Sequence, residues 1–292
     1  MKKVIANGSQ ALNGSRKRSR IARVSKFFRR RAVSRRPVTR HGPANGPAAA
    51  AAPKIIGIIV FDRMSAAGLM GPAEVFSRAK EPNGEGRQRC CYEVMTIGIS
   101  TEICRTDSGI FVKPEIAMRN APSLDTVIIP GGSGIHDPKA NNDIAHWLNL
   151  IAPAARRVVA LGSGIYALAR TGLLDERQVI THSRLAADVA SRFPSLRINS
   201  TGVFLNDGSF HTCAGGISAI DLSLALIEED YGCQVALDVA RELIVHVKRS
   251  GGELQYSEPL RFQAQSSDRF ADLPAWILSH LSEDLSVETL GR

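Results

Sequence analysis

Apolar residues along this chain gather, from residue 54 onward, into short runs with little polar alternation. KIIGIIVFD at 54–62, DTVIIPGGSG at 125–134 and RRVVALGSG at 156–164 each join a β-branched run to a turn. Such runs predict strands buried on both faces of a parallel sheet. Residues 92–98 predict a further strand and 179–181 a short one. Between the strands the spacing becomes helical. Residues 64–79 are interrupted by Gly71-Pro72, which predicts a helix start with proline in its first turn. In 141–154, Ile144, Leu148 and Ile151 share one face. A helix follows the 156–164 run to Arg170, with Gly172 as its stop. Helices are also predicted over 185–193, 217–230 and 233–243. Asp107-Ser108-Gly109 and Asn206-Asp207-Gly208 predict hairpins within 101–112 and 203–213. Strands alternating with helices predict an α/β fold, doubly wound, with a mostly parallel sheet covered on both faces. Ligands of such sheets bind beyond the carboxyl ends of the strands. That rule places Asp62, Gly131-Gly132, Gly162-Ser163 and His182 around one crevice.

Charge then divides the chain. Residues 1–53 hold 14 Lys and Arg and no Asp or Glu, whereas residues 54–292 hold 23 basic and 28 acidic residues. The strongly basic balance therefore belongs to the tail, and the folded part offers no basic face for phosphates. The tail has too few large apolar residues to offset its chain entropy and is expected to be disordered. Three readings stay open for it: a solvated basic tail, a sequence-blind nucleic-acid arm, or an Arg-rich transit peptide; a later translation start is a further possibility. After Val247 the sequence becomes polar and Gly/Ser-rich. Residues 250–268 are accordingly expected to be a linker between a domain at 54–249 and a C-terminal segment at 269–292.

The five cysteines (Cys90, Cys91, Cys104, Cys213, Cys233) include no CxxC pair, so neither a disulfide scaffold nor a structural zinc site is expected. No metal or cofactor is implied. The run at 55–61 is far shorter than the roughly 20 residues that span a bilayer. A cytoplasmic protein without membrane contact is expected.

Four segments carry a resemblance: GPAEVF at 71–76, IIPGGSG at 128–134, ALGSGIYALARTGLLD at 160–175 and Thr181-His182. Together they resemble the class I glutamine amidotransferase-like superfamily, the ThiJ/PfpI group, with its flavodoxin-like fold. TCAGGISAIDLSLALIEEDYG at 212–232 is more similar still to the GlxA branch, in which this domain is fused to an AraC-type DNA-binding domain. The resemblance covers roughly residues 55–249, with the motifs in matching order.

In the superfamily's enzymes a cysteine occupies the tight turn between strand and helix, where backbone N–H groups stabilise a thiolate and an oxyanion. The aligned residue here is Gly162, which cannot attack a substrate. Ser163 is the neighbouring hydroxyl, but a serine needs a base within about 3 Å, and GSG lacks the first glycine of a G-x-S-x-G elbow. Ser163 is therefore expected to hold the turn or cap the helix. His182 aligns with the family histidine and is read as a ligand contact or a structural imidazole. Glu74 matches the family glutamate and is read as a pocket acid or a first-turn helix acid. Gly131 and Gly132 allow close backbone approach to a ligand. The branch usually has an Asp shortly before the GP pair; that place is Gly68 here. Cys213, with apolar flanks, is expected to be a buried inert thiol.

Residues 269–292 resemble the opening of an AraC-type DNA-binding domain. Leu273, Trp276, Ile277 and Leu281 form one apolar helical face, and Ser286 caps the next helix; a plain terminal amphipathic helix is the alternative. The recognition helix such a domain needs is not present before Arg292. The resemblance thus implies the sensing domain of a GlxA/AraC-type regulator. That domain would be catalytically inactive, with a pocket of Glu74, Gly131, Gly132, Gly162, Ser163 and His182 for a small polar ligand such as an amine or amide. It also implies a homodimer, with DNA contacted only weakly through the tail. The alternatives are an active hydrolase or hydratase of the isonitrile hydratase kind, and a DNA-compacting protein acting through the tail.

Overall fold

The computed structural model describes residues 52–82, 87–265 and 272–290. The expectations for the basic tail fall almost entirely outside these residues.

The central sheet has seven strands: β1 (Lys54–Val60), β2 (Tyr92–Gly98), β3 (Ile116–Ala117), β4 (Thr126–Ile129), β5 (Arg157–Leu161), β6 (Phe204–Asp207) and β7 (Phe210–Cys213). Their order is β6-β7-β5-β4-β1-β2-β3. All neighbours run parallel except the β6–β7 hairpin. Helices α1 (Ala66–Arg78), α2 (Pro138–Ile151), α3 (Ile165–Arg170), α4 (Ala186–Arg192), α5 (Ser218–Tyr231) and α6 (Cys233–Glu242) connect and cover the strands. Ile58 and Ile59 are both fully buried. Neighbouring strand residues point to opposite faces, so both faces of the sheet are covered. This is the doubly wound α/β fold that the β-branched runs predict.

Several boundaries differ from expectation. Helix α1 begins at Ala66, with the Ser65 hydroxyl accepting the Gly68 amide at 3.3 Å, and Pro72 lies inside it. The cap, not the proline, sets the start. Helix α2 begins at Pro138, where the Asp137 side chain caps the Ala140 amide. Residues 178–180 pair with 197–199 as a separate small ribbon outside the main sheet. The edge strand β3 is only two residues long, and a ribbon pairing 80–82 with 88–90 carries no hydrophobic signature.

At the amino ends of the strands, two charged groups are buried as a pair. Arg157 opens β5 and Asp230 sits near the end of α5; both side chains are 3% exposed and they are paired. Arg156 Nη1 reaches the same carboxylate at 2.6 Å and also binds Asp125. Tyr92 donates to Asp230 at 2.7 Å. Burial and the adjacent carboxylate push the Tyr92 hydroxyl far above its ordinary range.

The chain after α6 folds back. Arg249 pairs with the nearly buried Asp221, and residues 250–256 run alongside the start of β6 and the 199–202 turn. The stretch expected to be linker therefore begins with a segment fastened to the domain. Beyond it lie α7 (Glu258–Gln265), α8 (Leu273–Ser279) and α9 (Val287–Leu290). Trp276 is 40% exposed and Leu281 is 66% exposed, with Trp276 stacked on His280 at 4.1 Å. Ser286 directly precedes α9, with its hydroxyl on Asp284. No helix among the described residues is long and apolar enough to cross a membrane.

Candidate functional site

The carboxyl ends of β1, β4, β5 and β7 open onto a crevice of about 310 Å³. Its floor is backbone. β4 runs into Gly131-Gly132, β5 into the turn at Gly162, and β7 into Ala214-Gly215-Gly216. Each glycine permits an approach that a side chain would block. A Cβ at Gly131 would stand 2.9 Å from the Leu161 carbonyl oxygen, and one at Gly215 would stand 2.9 Å from Gly162 Cα.

Gly162 has φ +54°, in the left-handed region. A side chain there costs about 1–3 kcal/mol in backbone strain, and its Cβ would meet the Ala214 carbonyl oxygen at 3.2 Å. The Thr181 hydroxyl donates to the Gly162 carbonyl at 3.1 Å, which fixes the turn. The residue at the apex thus presents only backbone to the crevice.

Ser163 lines the crevice, but its hydroxyl is already engaged. It accepts the Gly132 amide at 2.9 Å and donates to the Gly132 carbonyl at 3.2 Å. Both bonds tie the β5 turn to the β4 loop, and neither is to a base. This is the turn-holding role expected for Ser163.

His182 follows the 178–180 ribbon, and its Nδ1 accepts the Arg184 amide at 3.1 Å. That bond places the neutral ring's proton on Nε2. Burial, and then the Arg184 charge, lower its pKa, so the ring is uncharged near neutral pH. Arg184 also lines the crevice and has no ion-pair partner among the described residues. The sequence reading missed it, although it lies only two positions from His182.

The structure brings together Gly131, Gly132, Gly162, Ser163 and His182, and leaves Glu74 out. The Glu74 carboxylate pairs with Arg78 one turn along α1, at 3.0 Å, with its side chain 58% exposed. The helix residue that does line the crevice is Gly68. Six helical positions separate the two, roughly 240° around the axis, so a residue at 74 faces away from the site that 68 faces. Asp62 is likewise absent from the lining; its Oδ1 accepts the Arg105 amide at 2.9 Å and holds the 104–112 hairpin. Cys213 is fully buried, and burial pushes its thiol up to about 11. Its sulfur accepts the Gly215 amide at 3.3 Å. An enclosed, protonated thiol is a poor nucleophile. Among the described residues no three His, Cys, Asp or Glu side chains gather as a metal site.

The sequence profile of the DJ-1/PfpI family matches residues 54–229. The chain belongs to the DJ-1/PfpI family. The matched span runs from β1 into the last turn of α5 and includes every residue of the crevice. Among curated relatives, the HTH-type transcriptional regulator GbdR of Pseudomonas aeruginosa is 25% identical over 239 residues, 82% of this chain and 64% of that protein. The chain therefore spans just under two thirds of that relative's length. The isonitrile hydratase of Pseudomonas putida is 23% identical over 188 residues, 64% of this chain and 77% of the enzyme. An AraC family transcriptional regulator structure from Pseudomonas putida superposes with a TM-score of 0.56 at 21% identity, covering 65% of this chain and all of that one. This DJ-1/PfpI chain thus has transcriptional regulators of the GlxA/AraC type among its relatives, and it shares their α/β fold.

Proposed function

We propose that this chain is the sensing part of a GlxA/AraC-type transcriptional regulator and that its crevice binds a small molecule without transforming it. One observation carries the reading: among the described residues lining the crevice, no hydroxyl or thiol is paired with a base, the Ser65 hydroxyl being taken up by the Gly68 amide. Gly162 has no side chain, Ser163 is bound at both its donor and its acceptor, and Cys213 is enclosed. A covalent mechanism needs an activated nucleophile beside a base, and none of these groups has a base as its hydrogen-bond partner.

The lining also revises the ligand class. An amine would need a carboxylate, and with Glu74 turned away and glycine at 68 no lining side chain supplies one. What the crevice offers is donors: the Nε2–H of neutral His182 and the guanidinium of Arg184, which has no ion-pair partner among the described residues. The ligand is therefore a small molecule with an anionic or strongly accepting end directed at Arg184. Dimerisation through this domain, and a domain boundary near Arg249 ahead of a DNA-binding segment, belong to the same proposal.

The test has two arms. Titration calorimetry with small carboxylates should give binding that weakens at least tenfold in Arg184→Ala and is unchanged in Glu74→Gln. The same protein should not turn over amides, isonitriles or aldehydes. Turnover that disappears in His182→Ala would replace this reading with that of a hydratase or hydrolase, the chemistry named for the isonitrile hydratase relative.

A further inference from the structure

The segment that leaves the domain after α6 is fastened to one wall of the crevice by a seat built for it. Gln255 is its main fastener. Its Oε1 accepts the Ser183 amide at 3.0 Å, and its Nε2 lies 3.0 Å from the Thr181 carbonyl and 3.0 Å from the Gly202 carbonyl. Ser183 and Thr181 flank His182. The next residue, Tyr256, packs its ring edge-on to the His182 imidazole, with centroids 6.3 Å apart, and its hydroxyl shares a hydrogen bond with Ser183.

The backbone of the segment adds its own bonds. Gln255 N–H donates to the Thr201 carbonyl at 3.0 Å, and the Val203 amide donates to the Gly251 carbonyl at 2.9 Å. This close contact depends on two glycines. A Cβ at Gly251 would lie 2.4 Å from the Phe204 carbonyl oxygen, and one at Gly202 would lie 3.0 Å from the Gly251 carbonyl oxygen. A plain solvated linker needs neither the glycines nor a glutamine with its whole amide group engaged.

We propose that residues 249–256 form a latch that reports the state of the crevice to the C-terminal helices. The proposal rests on the reading of the crevice as a ligand site. The turn at 181–185 is the shared element: its inner side presents His182 and Arg184 to the crevice, and its outer side holds Gln255. A molecule that engages Arg184 or His182 shifts that turn, loosens the Ser183–Gln255–Thr181 clasp, and frees the chain leading to α7. Equally, a segment already freed lets the turn relax. Coupling of this kind is reciprocal by thermodynamic necessity.

Reciprocity can be tested without any ligand, by amide hydrogen exchange on the full chain. The amides of Arg184 and Leu185 bond only within their own turn, to His182. Releasing the latch with Gln255→Leu, or with Gly251→Ala, should speed exchange at 184 and 185 at least tenfold. In the other direction, His182→Ala should speed exchange at Val203 and Gln255 at least tenfold. Strand β1 should keep its protection throughout, and a variant that loses it is set aside in favour of the other two. Twofold or smaller changes at 184 and 185 in a variant with a freed segment would overturn the latch and leave a simple structural fastening. Twofold or smaller changes at 203 and 255 in His182→Ala would also overturn it. Either failure leaves the crevice as a binding site, whereas failure of calorimetric binding would overturn the site and leave the measured coupling intact.

Discussion

The two ends of the sheet are built from opposite materials. At the amino ends, the nearly buried Arg157, Asp230 and Tyr92 join the more exposed Arg156 and Asp125 in a network of charge and hydrogen bonds. At the carboxyl ends the crevice is mostly backbone and glycine, with one imidazole and one guanidinium. Strongly perturbed titratable groups usually mark functional sites, and by that measure the amino end would be the active one. Its charged partners, however, occupy one another. The carboxyl end has the room and lacks the reactive groups. Perturbation in this molecule therefore marks a structural clamp, and the open end is the one proposed for recognition.

The largest effect tests the clamp. Asp230→Asn removes the charge between Arg156 and Arg157 and leaves the nearly buried Arg157 guanidinium with only Glu229, at 3.4 Å. Breaking a buried pair from one side costs about 3–5 kcal/mol, which for a domain of this size lowers Tm by about 10 °C. Calorimetric melting at pH 7 checks this. Burial raises the Asp230 pKa, but Arg156, Tyr92 and Arg157 outweigh it and hold the carboxyl below its ordinary value. The stabilisation is thus complete above the unfolded pKa near 4 and fades as pH falls through the folded one. Asp230→Asn should remove that acid sensitivity. A Tm within 2 °C of the native value would show that the network is ornamental to stability.

The next effect is at the crevice. Gly162→Ala puts a methyl group on a left-handed backbone and against the Ala214 carbonyl. It should destabilise the fold by about 1–3 kcal/mol and weaken ligand binding, because the β5 and β7 loops must part. An alanine accommodated with no loss of stability would show that the turn does not need glycine. The quiet character of the site would then reflect only the missing sulfur and not the shape of the turn.

How far the sequence could be read follows the same division. The strands were legible because burial on both faces leaves β-branched runs without alternation, as in residues 54–62 and 156–161. The crevice loops were legible because strand order confines them to one end. Glu74 misled because a motif is read linearly, whereas a helix sends position 74 away from the side that position 68 faces. Asp62 misled because a residue at a strand's end can turn outward to hold a hairpin. The 249–256 segment was hidden: glycines and polar residues that suit a linker also suit a backbone packed against backbone, and composition does not separate the two. The amino-end clamp was hidden as well, since its members lie far apart in sequence and only the folded chain brings Asp230 to Arg157.

The smallest effect separates clamp from bystander. His211 on β7 is 3% exposed, beside Arg157 and 3.9 Å from the Glu229 carboxylate, and neither ring nitrogen forms a well-formed hydrogen bond. Burial first, and Arg157 next, lower its pKa, against the opposing pull of Glu229 and the Ser209 backbone. The buried ring is therefore neutral, while in the unfolded chain it takes up a proton near pH 6.5. Its contribution to stability is present above that pH and is lost as the pH falls through the folded pKa. His211→Leu removes an imidazole that is already poorly satisfied, so stability at pH 7.5 should change by less than about 1 kcal/mol. The fall in Tm between pH 6.5 and 5 should become shallower. If the slope is unchanged, another group carries it, and His182, whose pKa is lowered in the same direction, is the one to replace next. A large loss of stability at pH 7.5 would instead make His211 part of the clamp, and extend the amino-end network one strand further toward the edge of the sheet.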